Sequence, residues 1–296
     1  MLAAHLKELI QIQKDTGHSL LYDASACGSI PIIRNLEEYY DNDLLLSVTG
    51  ILNGSSNYIL TKIFRDNENY QSALKQAQKL GFAESNPAFD VNGNDSLYKL
   101  VIIAAHAFGL LVSPDDVFRF GIAKINDFDV QFAREKGLKI KLVAKVLKTE
   151  NNLVSLYVAP QFVQPNEYIY NVEEEYNGVV IEGAFYDKQF MFGKGAGAHP
   201  TGSAVLSDIT ALSHHYKYEY KKLKYFNKPE LTNETILNIY LRYTRKEDLE
   251  HFKFIEVTEQ YTGKNAHYIT GKIELAKLVQ KKKIIENLDI FLGVIE

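Results

Sequence analysis

The sequence predicts an α/β (α+β) protein, with helices on one face of a mixed, largely antiparallel sheet. A helical stripe over residues 2–12, followed by a strand-like run at 19–22, is an order typical of the end of a doubly wound domain. Two pairs of strand-like runs joined by turns, within 139–158 and 178–192, predict antiparallel hairpins. A pattern of strand, helix and strand over 229–296 predicts a small α+β module.

Composition limits the classes of function. The 296 residues are 46% hydrophobic, enough for a sizeable core and two domains. A net charge of −4 gives no electrostatic footprint for nucleic acid. No window approaches a membrane span, and His5, Lys7 and Glu8 interrupt the first apolar stretch, so neither membrane nor signal peptide is expected. The single cysteine, Cys27, reads as a packed loop thiol and fits a reducing, cytoplasmic compartment.

A charged constellation within residues 79–109 is the leading candidate for chemistry. A turn-rich segment holds Glu84 and Asp90, and a helix then begins near Asp95. Asp95 and Lys99 lie four residues apart and therefore share one face of that helix. The ten residues after Lys99 carry no formal charge, which predicts that the helix is buried. A lysine at the polar mouth of a buried helix, beside three carboxylates, is a candidate acid–base group.

Spacing alone leaves a simpler interpretation open. An Asp–Lys pair at this spacing is ordinarily a solvated salt bridge worth about 0.2–0.5 kcal/mol, and the carboxylates fit turn and cap positions. The serines and asparagine at 55–57 predict the N-cap of another helix, whose free N–H groups suit the carboxylate of an amino acid. As a cap alone, that cluster needs no function.

Four segments, in the same order, resemble motifs of the homoserine dehydrogenase family and cover residues 1 to about 215. They are YDASACGSIPII at 22–33, GILNGSSNYIL at 50–60, GFAESNPAFDVNGNDSLYKL at 81–100 and GKGAGAHPT at 193–201. The resemblance implies an NAD- or NADP-dependent oxidoreductase that reversibly reduces L-aspartate 4-semialdehyde to L-homoserine, in threonine, methionine and isoleucine biosynthesis. It also implies a homodimer or homotetramer.

The resemblance also assigns roles to particular residues. Lys99 is implied as the proton donor to the substrate oxygen, and Asp95 as the group that orients Lys99 or holds the substrate hydroxyl. The implied substrate-binding residues are Glu84, Asp90, Asp95 and Ser56. The implied neighbours of the nicotinamide are Gly81, Gly195, Ala196 and Gly197.

The small-residue loop after Tyr22 is implied as a site for a monovalent, sodium-like cation. Its implied ligands are the Asp23 carboxylate and the carbonyls of Ala26, Gly28 and Ile30, an all-oxygen set that suits a hard cation. The alternative from the residues is a tight turn that needs small side chains for close backbone approach.

The resemblance divides the chain into four parts. Residues 1–45 are predicted as a remnant of a Rossmann nucleotide-binding domain and 46–192 as the substrate-binding and dimerisation domain. Residues 193–228 are predicted to return to the nucleotide domain, and residues 221–232 are predicted to form a linker. Residues 229–296 are predicted as a small module, possibly a degenerate form of the ACT regulatory domain, because the usual D-x-P-G start is missing.

A Gly-rich dinucleotide loop is missing from the pattern, since no G-x-G-x-x-G follows a strand. We therefore expect an N-terminally truncated chain that, alone, binds nicotinamide nucleotide poorly and is inactive. The alternative function is a non-catalytic remnant of the fold that binds an amino acid or only oligomerises.

Overall fold

A computed structural model describes residues 1–42, 44–225, 228–264 and 266–296. The helices are α1 (Leu2–Thr16), α2 (Ala24–Cys27), α3 (Ile32–Glu38), α4 (Gly54–Arg65), α5 (Tyr70–Lys79), α6 (Ala88–Val91), α7 (Asn94–Phe108), α8 (Asp127–Glu135), α9 (Ala198–Ser213) and α10 (Leu275–Ile285). The strands are β1 (Leu45–Ile51), β2 (Phe118–Arg119), β3 (Lys139–Lys148), β4 (Leu153–Val163), β5 (Tyr176–Gly183), β6 (Asp187–Lys194), β7 (Glu230–Leu231), β8 (Ile236–Tyr243), β9 (Phe254–Thr262), β10 (His267–Glu274) and β11 (Ile290–Ile295). Among these described residues, no helix is both long and apolar enough to cross a bilayer.

The strands form one sheet in the order β6-β5-β1-β3-β4-β11-β8-β10-β9, with β2 and β7 paired to β4. Every pair along that order is antiparallel except β4–β11. The predicted hairpins are confirmed as β3–β4 and β5–β6. The α/β fold with a mixed, mainly antiparallel sheet is therefore the one that the sequence predicts.

Helix α7 is the central helix that packs on the sheet. It packs against β3 and β4, and its residues from 100 to 108 are all buried, as their lack of charge predicts. The helix ends at Gly109, whose φ of 71° is left-handed. A Cβ at Gly109 would lie 2.6 Å from the Lys222 backbone, so glycine is required there by both conformation and space. Because the rest of α7 is packed in the core, the positions of the polar groups at its first turn are fixed.

The strand predicted at 19–22 is wrong. These residues follow α1 and its left-handed cap Gly17 without forming a strand. A strand needs a neighbour to satisfy its N–H groups, and among the described residues none runs alongside. The Leu20 N–H donates instead to Gln13 Oε1 at 3.0 Å. The assignment of residues 1–45 to a nucleotide-binding domain stays a prediction.

A buried polar network joins the first 40 residues to the segment after α9. The His106 ring contacts Glu37 Oε1 at 2.6 Å through Nδ1 and the Tyr22 hydroxyl at 2.7 Å through Nε2. The Tyr220 hydroxyl lies 2.9 Å from that of Tyr22, and the Tyr220 N–H donates to Glu37. Lys222 is buried in the predicted linker, so that segment is in part packed rather than solvated. The linker's residues 226 and 227 lie outside the described residues.

The last four long strands extend the same sheet. Strand β11 lies between β4 and β8, which makes the sheet continuous from one predicted domain into the next. On this side Arg242 Nε donates to the fully buried Asp129 carboxylate at 2.9 Å, and the Tyr240 hydroxyl donates to it at 3.0 Å. A short 3₁₀ helix, Lys246–His251, follows β8. The division at residue 229 stays a prediction.

Lys141 is a buried lysine near the start of β3. Its side chain is 2% exposed, and its ammonium donates to Asn57 Oδ1 at 3.2 Å and to the Val172 carbonyl. The Asn57 amide donates to the carbonyls of Val172, Glu174 and Tyr176, so the pair holds the chain that enters β5. Burial disfavours the charged ammonium and lowers the pKa of Lys141 from 10.5 to about 7.

We expect the free energy of unfolding to carry a contribution from Lys141 that is lost as the pH falls. As the pH falls, the unfolded chain takes up this proton near pH 10.5 and the folded chain only near pH 7. The free energy of unfolding therefore decreases as the pH falls from about 10.5 to about 7. Lys141→Met should be more stable than the wild type at neutral pH. That advantage should shrink by on the order of 2 kcal/mol at about pH 9.5, as measured by urea unfolding.

The matched control is Lys253→Met, at an exposed lysine. It should alter stability by less than about 0.5 kcal/mol, equally at both pH values. A Lys141→Met advantage that is independent of pH would contradict the lowered pKa.

Candidate active site

A cleft of about 510 Å³ opens beside the first turns of α4 and α7. Four segments of the described chain line it, together with Asp90 of α6 and Glu175: the turn after β1, the turn after α5, the start of α7 and the glycine-rich residues 194–200. All four segments overlap motifs on which the family resemblance rests. The sheet and α7 hold the charged side of the cleft, and the glycine-rich segment forms the opposite wall.

Asn53 organises the charged side of the cleft. It is the N-cap of α4, where its Oδ1 accepts from the Ser56 N–H at 2.8 Å. Its Nδ2 donates to Asp90 Oδ1 at 2.9 Å and to Asp95 Oδ2 at 2.8 Å. The N-cap predicted at 55–57 is therefore wrong by two residues. The reason is that Asn53, still extended at φ −125°, is the residue whose side chain reaches the free N–H groups.

Lys99 is fixed by two acceptors. Its ammonium donates to Asp95 Oδ2 at 2.8 Å and to the Leu52 carbonyl at 2.8 Å. The side chains of Lys99 and Asp95 are only 17% and 22% exposed, so this is not the solvated pair that spacing alone allows. An ammonium has three donors, and two of them are used. The third is left for a group in the cleft that Lys99 lines.

Asp90 supplies a second carboxylate within reach of the same amide. Burial raises the pKa of Asp90, and the negative charge of Asp95 raises it further, while the hydrogen bond from Asn53 lowers it. A carboxyl in this position is therefore easier to protonate than an exposed aspartate. A ligand cation in the cleft would oppose this effect.

The opposite wall consists of backbone. Gly195, Ala196 and Gly197 line the cleft, together with Gly81 at the end of α5. Because glycine has no side chain, a flat ligand can approach this wall closely. Beside it, the Lys194 ammonium pairs with Glu175 at 3.2 Å. This pair was not predicted from the sequence, since 19 residues and a hairpin separate its members.

The structure brings most of the predicted site residues together, but not all. Lys99, Asp95, Asp90, Gly81 and the three residues 195–197 line one cleft. Glu84 is exposed and is not among the described residues that line it. Ser56 is fully buried beneath it, where its hydroxyl donates to the Asp90 carbonyl at 3.1 Å. The roles of all these residues stay predictions.

The predicted cation loop lies behind the glycine wall. Asp23 is 3% exposed; its Oδ1 accepts from the Arg34 N–H at 3.1 Å, and its own N–H donates to Asp208 Oδ2 at 3.0 Å. Asp208 is also buried and pairs with the Arg34 guanidinium at 2.7 Å. Two buried carboxylates thus face one guanidinium, and burial raises the pKa of Asp23. The surplus negative charge fits a bound cation.

The carbonyls assigned to the cation belong to a tightly packed loop. Ala26 is fully buried, and the Ile30 carbonyl already accepts from the Ile32 N–H at 2.8 Å, which leaves one lone pair. Cys27 is also fully buried, and burial raises the pKa of its thiol to about 12, so it is a packed thiol as expected.

Comparison with known proteins gives consistent matches. The sequence profile described as homoserine dehydrogenase matches residues 31–210. The homoserine dehydrogenase of Helicobacter pylori is 39% identical over 213 residues, which are 72% of this chain and 50% of that protein. A homoserine dehydrogenase structure from Thiobacillus denitrificans superposes with a TM-score of 0.81 at 27% identity, over 100% of this chain and 74% of that one.

A hyperthermophilic archaeal homoserine dehydrogenase mutant, solved in complex with NADPH, shares the fold with a TM-score of 0.63 at 24% identity. That match covers 74% of this chain and 63% of the archaeal chain. The relatives are oxidoreductases that share this α/β architecture. The chain belongs to the homoserine dehydrogenase family. It spans about half the length of the curated relatives it matches.

Replacing Asn53 by Asp tests whether its amide is needed between the two carboxylates. The variant keeps the cap acceptor but puts a third carboxylate beside Asp90 and Asp95. We expect a loss of about 2 kcal/mol in the free energy of unfolding at pH 7. A carboxyl whose pKa is raised in the folded state destabilises it as the pH rises, so part of the loss should be recovered at about pH 5.

The matched control is Asn69→Asp, at the N-cap of α5. Asn69 caps in the same way, accepting from the Ser72 N–H at 2.9 Å, but is exposed. Its replacement should change stability by less than about 0.5 kcal/mol. Equal effects at the two caps would contradict a special role for the Asn53 amide.

Proposed function

We propose that this chain provides the substrate-binding and catalytic part of a homoserine dehydrogenase. The reaction is the reversible, NAD- or NADP-dependent reduction of L-aspartate 4-semialdehyde to L-homoserine, in the biosynthesis of threonine, methionine and isoleucine. Membership of the family supports the reaction class. The observation that carries the proposal for this chain is Lys99, held by Asp95 and the Leu52 carbonyl with its remaining donor available to the cleft.

Lys99 is suited to the oxygen at the reacting carbon. Reduction of an aldehyde leaves alkoxide character on its oxygen, and an ammonium beside that oxygen stabilises the charge and donates the proton. In the reverse direction, the amine accepts the proton from the homoserine hydroxyl. Asp95 keeps the ammonium in one orientation, at 2.8 Å, and so reduces the cost of ordering it.

The carboxylates are suited to the ammonium group of the amino acid. A buried cation requires anionic partners, and Asp90 lines the cleft, where its Oδ1 accepts a hydrogen bond from Asn53 Nδ2 at 2.9 Å. Glu84 is also proposed to bind this ammonium group. It lies on the turn that continues from Gly81 and Phe82, which line the cleft. Ser56 acts beneath Asp90 rather than on the substrate.

The glycine wall is suited to the nicotinamide. Gly81, Gly195, Ala196 and Gly197 would lie against the ring, and the NADPH bound by the archaeal relative supports a nucleotide of this kind. When bound, the nicotinamide supplies or accepts the hydride. The chain's own residues position the substrate and move the proton. We also propose a homodimer or homotetramer, supported by the exposed apolar side chains of Ile255, Val257 and Tyr261 on the edge strand β9.

The test combines binding and turnover. L-Homoserine binding is measured by calorimetry on this chain, and homoserine-dependent reduction of NADP and NAD is measured by absorbance on a longer protein in which a Gly-rich nucleotide-binding part precedes it. Lys99→Met should lower turnover by about 10²–10⁴-fold, while homoserine affinity changes much less because the carboxylates remain. The control Lys75→Met, at an exposed lysine, should change neither.

Absence of L-homoserine binding would contradict the proposed substrate. Turnover by Lys99→Met close to that of the wild type would contradict the role of Lys99. L-Homoserine binding without turnover in the longer protein as well would favour the alternative of a non-catalytic amino-acid-binding protein.

We further propose that the loop around α2 holds a monovalent, sodium-like cation through the Asp23 carboxylate and the carbonyls of Ala26, Gly28 and Ile30. Sodium chloride should raise the midpoint of thermal unfolding above that in choline chloride of equal ionic strength, by about 2–4 °C. Asp23→Asn should abolish that difference. Equal midpoints of the wild type in the two salts would contradict the cation.

A further inference from the structure

Asn177 in β5 is a buried side chain without a partner. It is 0% exposed, and both its Nδ2 and its Oδ1 are buried with no hydrogen bond to any residue that the structure describes. A buried amide that satisfies neither its donor nor its acceptor destabilises a fold by about 1–3 kcal/mol for each group left unpaired. A group of this kind in a native protein requires an explanation, such as a partner that it gains in another state.

The amide lies directly behind the wall of the candidate active site. Asn177 pairs with Gly193 of β6, at the start of residues 193–197, which we name the glycine strap. A Cβ at Gly195 would overlap the Asn177 amide, so the amide lies against the Gly195 Cα. Gly195 itself lines the cleft, whereas Asn177 is not among the described residues that do. Asn177 is thus separated from the cleft by one layer of backbone.

The side of the strap that faces the α2 loop already accepts hydrogen bonds. The N–H and the hydroxyl of Ser29 both donate to the Lys194 carbonyl, at 3.1 and 3.0 Å. A Cβ at Gly28 would overlap the Gly195 carbonyl, so this loop prevents the strap from moving in its direction. The Asn177 side of the strap, by contrast, offers both an unused donor and an unused acceptor among the residues that the structure describes.

We infer that Asn177 is a positioning residue of the glycine strap. When a ligand occupies the cleft, the Asn177 amide hydrogen-bonds the strap backbone around Gly195 and fixes the peptides that face the ligand. The inference rests on the proposed function of the cleft. Asn177 does not touch the ligand, because it is fully buried behind the strap.

The test separates stability from ligand response. Asn177→Leu replaces the amide by an apolar group of similar shape. In the absence of ligand it should raise the midpoint of thermal unfolding by about 2–4 °C, because no unpaired polar atom remains. The affinity for L-homoserine, measured with NADPH present so that both partners are reduced and no net reaction runs, should fall about 10-fold.

Gln161→Leu is the matched control. Gln161 in β4 is 1% exposed, and neither end of its amide has a partner among the described residues, but it does not line the cleft. This variant should also be more stable than the wild type, with unchanged affinity for L-homoserine. Hydrogen exchange supplies a readout that needs no variant. L-Homoserine added together with NADPH should slow exchange at the backbone amides of residues 195–197 in the wild type.

The outcomes are distinct. If the wild type binds no L-homoserine, the proposed function fails and the inference fails with it. If the wild type binds and Asn177→Leu binds equally well, or if ligand leaves exchange at 195–197 unchanged, only the inference is overturned. If Asn177→Leu does not fold, Asn177→Ala removes the same amide with less bulk, and the same loss of affinity is expected.

Discussion

Two carboxylates that share one amide are the constraint on which the rest of the site depends. Asp90 and Asp95 both accept from Asn53 Nδ2, so two negative charges lie within a few ångströms in a half-buried cleft. Such a pair is unfavourable unless donors and a cation compensate it. The Asn53 amide, the N-terminal end of α7 and the Lys99 ammonium provide this compensation. The same compensation leaves Lys99 oriented toward the cleft, so the requirement for folding and the proposed requirement for proton transfer coincide.

Buried carboxylates are also the points at which distant parts of the chain meet. Glu37 contacts His106 and Tyr220, and Asp129 contacts Arg242. In each case the partner lies in a different segment of the sequence. Hydrophobic burial is non-directional, whereas a buried carboxylate that loses its donor is strongly destabilising. We conclude that hydrophobic burial drives these segments together and that the carboxylates determine the relative positions at which they stop.

The sequence predicts much of the fold, because local patterns decide it. Alternation and turn residues are sufficient for the β3–β4 hairpin, and the absence of charge after Lys99 is sufficient for a buried α7. The run at 19–22 shows the limit, since it has strand composition but no paired neighbour among the described residues, and pairing is a tertiary property. The cap at Asn53 shows another, since several polar residues in succession could cap α4 and only the path of the backbone selects one.

The candidate site, like the fold, has a part that the sequence predicts and a part that it does not. Asp95 and Lys99 share one face of α7, so their meeting is predictable from spacing, and Asp90 lies nearby in sequence on the short helix α6. Asn53, the Leu52 carbonyl and Asn177 come from strands and turns far away in the sequence, and no spacing rule connects them with Asp95 and Lys99. What connects them is close backbone approach. Gly28 and Gly195 allow the α2 loop, the strap and β5 to stack without side chains between them. A strap held in this way has few directions in which it can move. Movement toward Asn177 would be favourable, because the unpaired polar atoms of that side chain would gain hydrogen bonds.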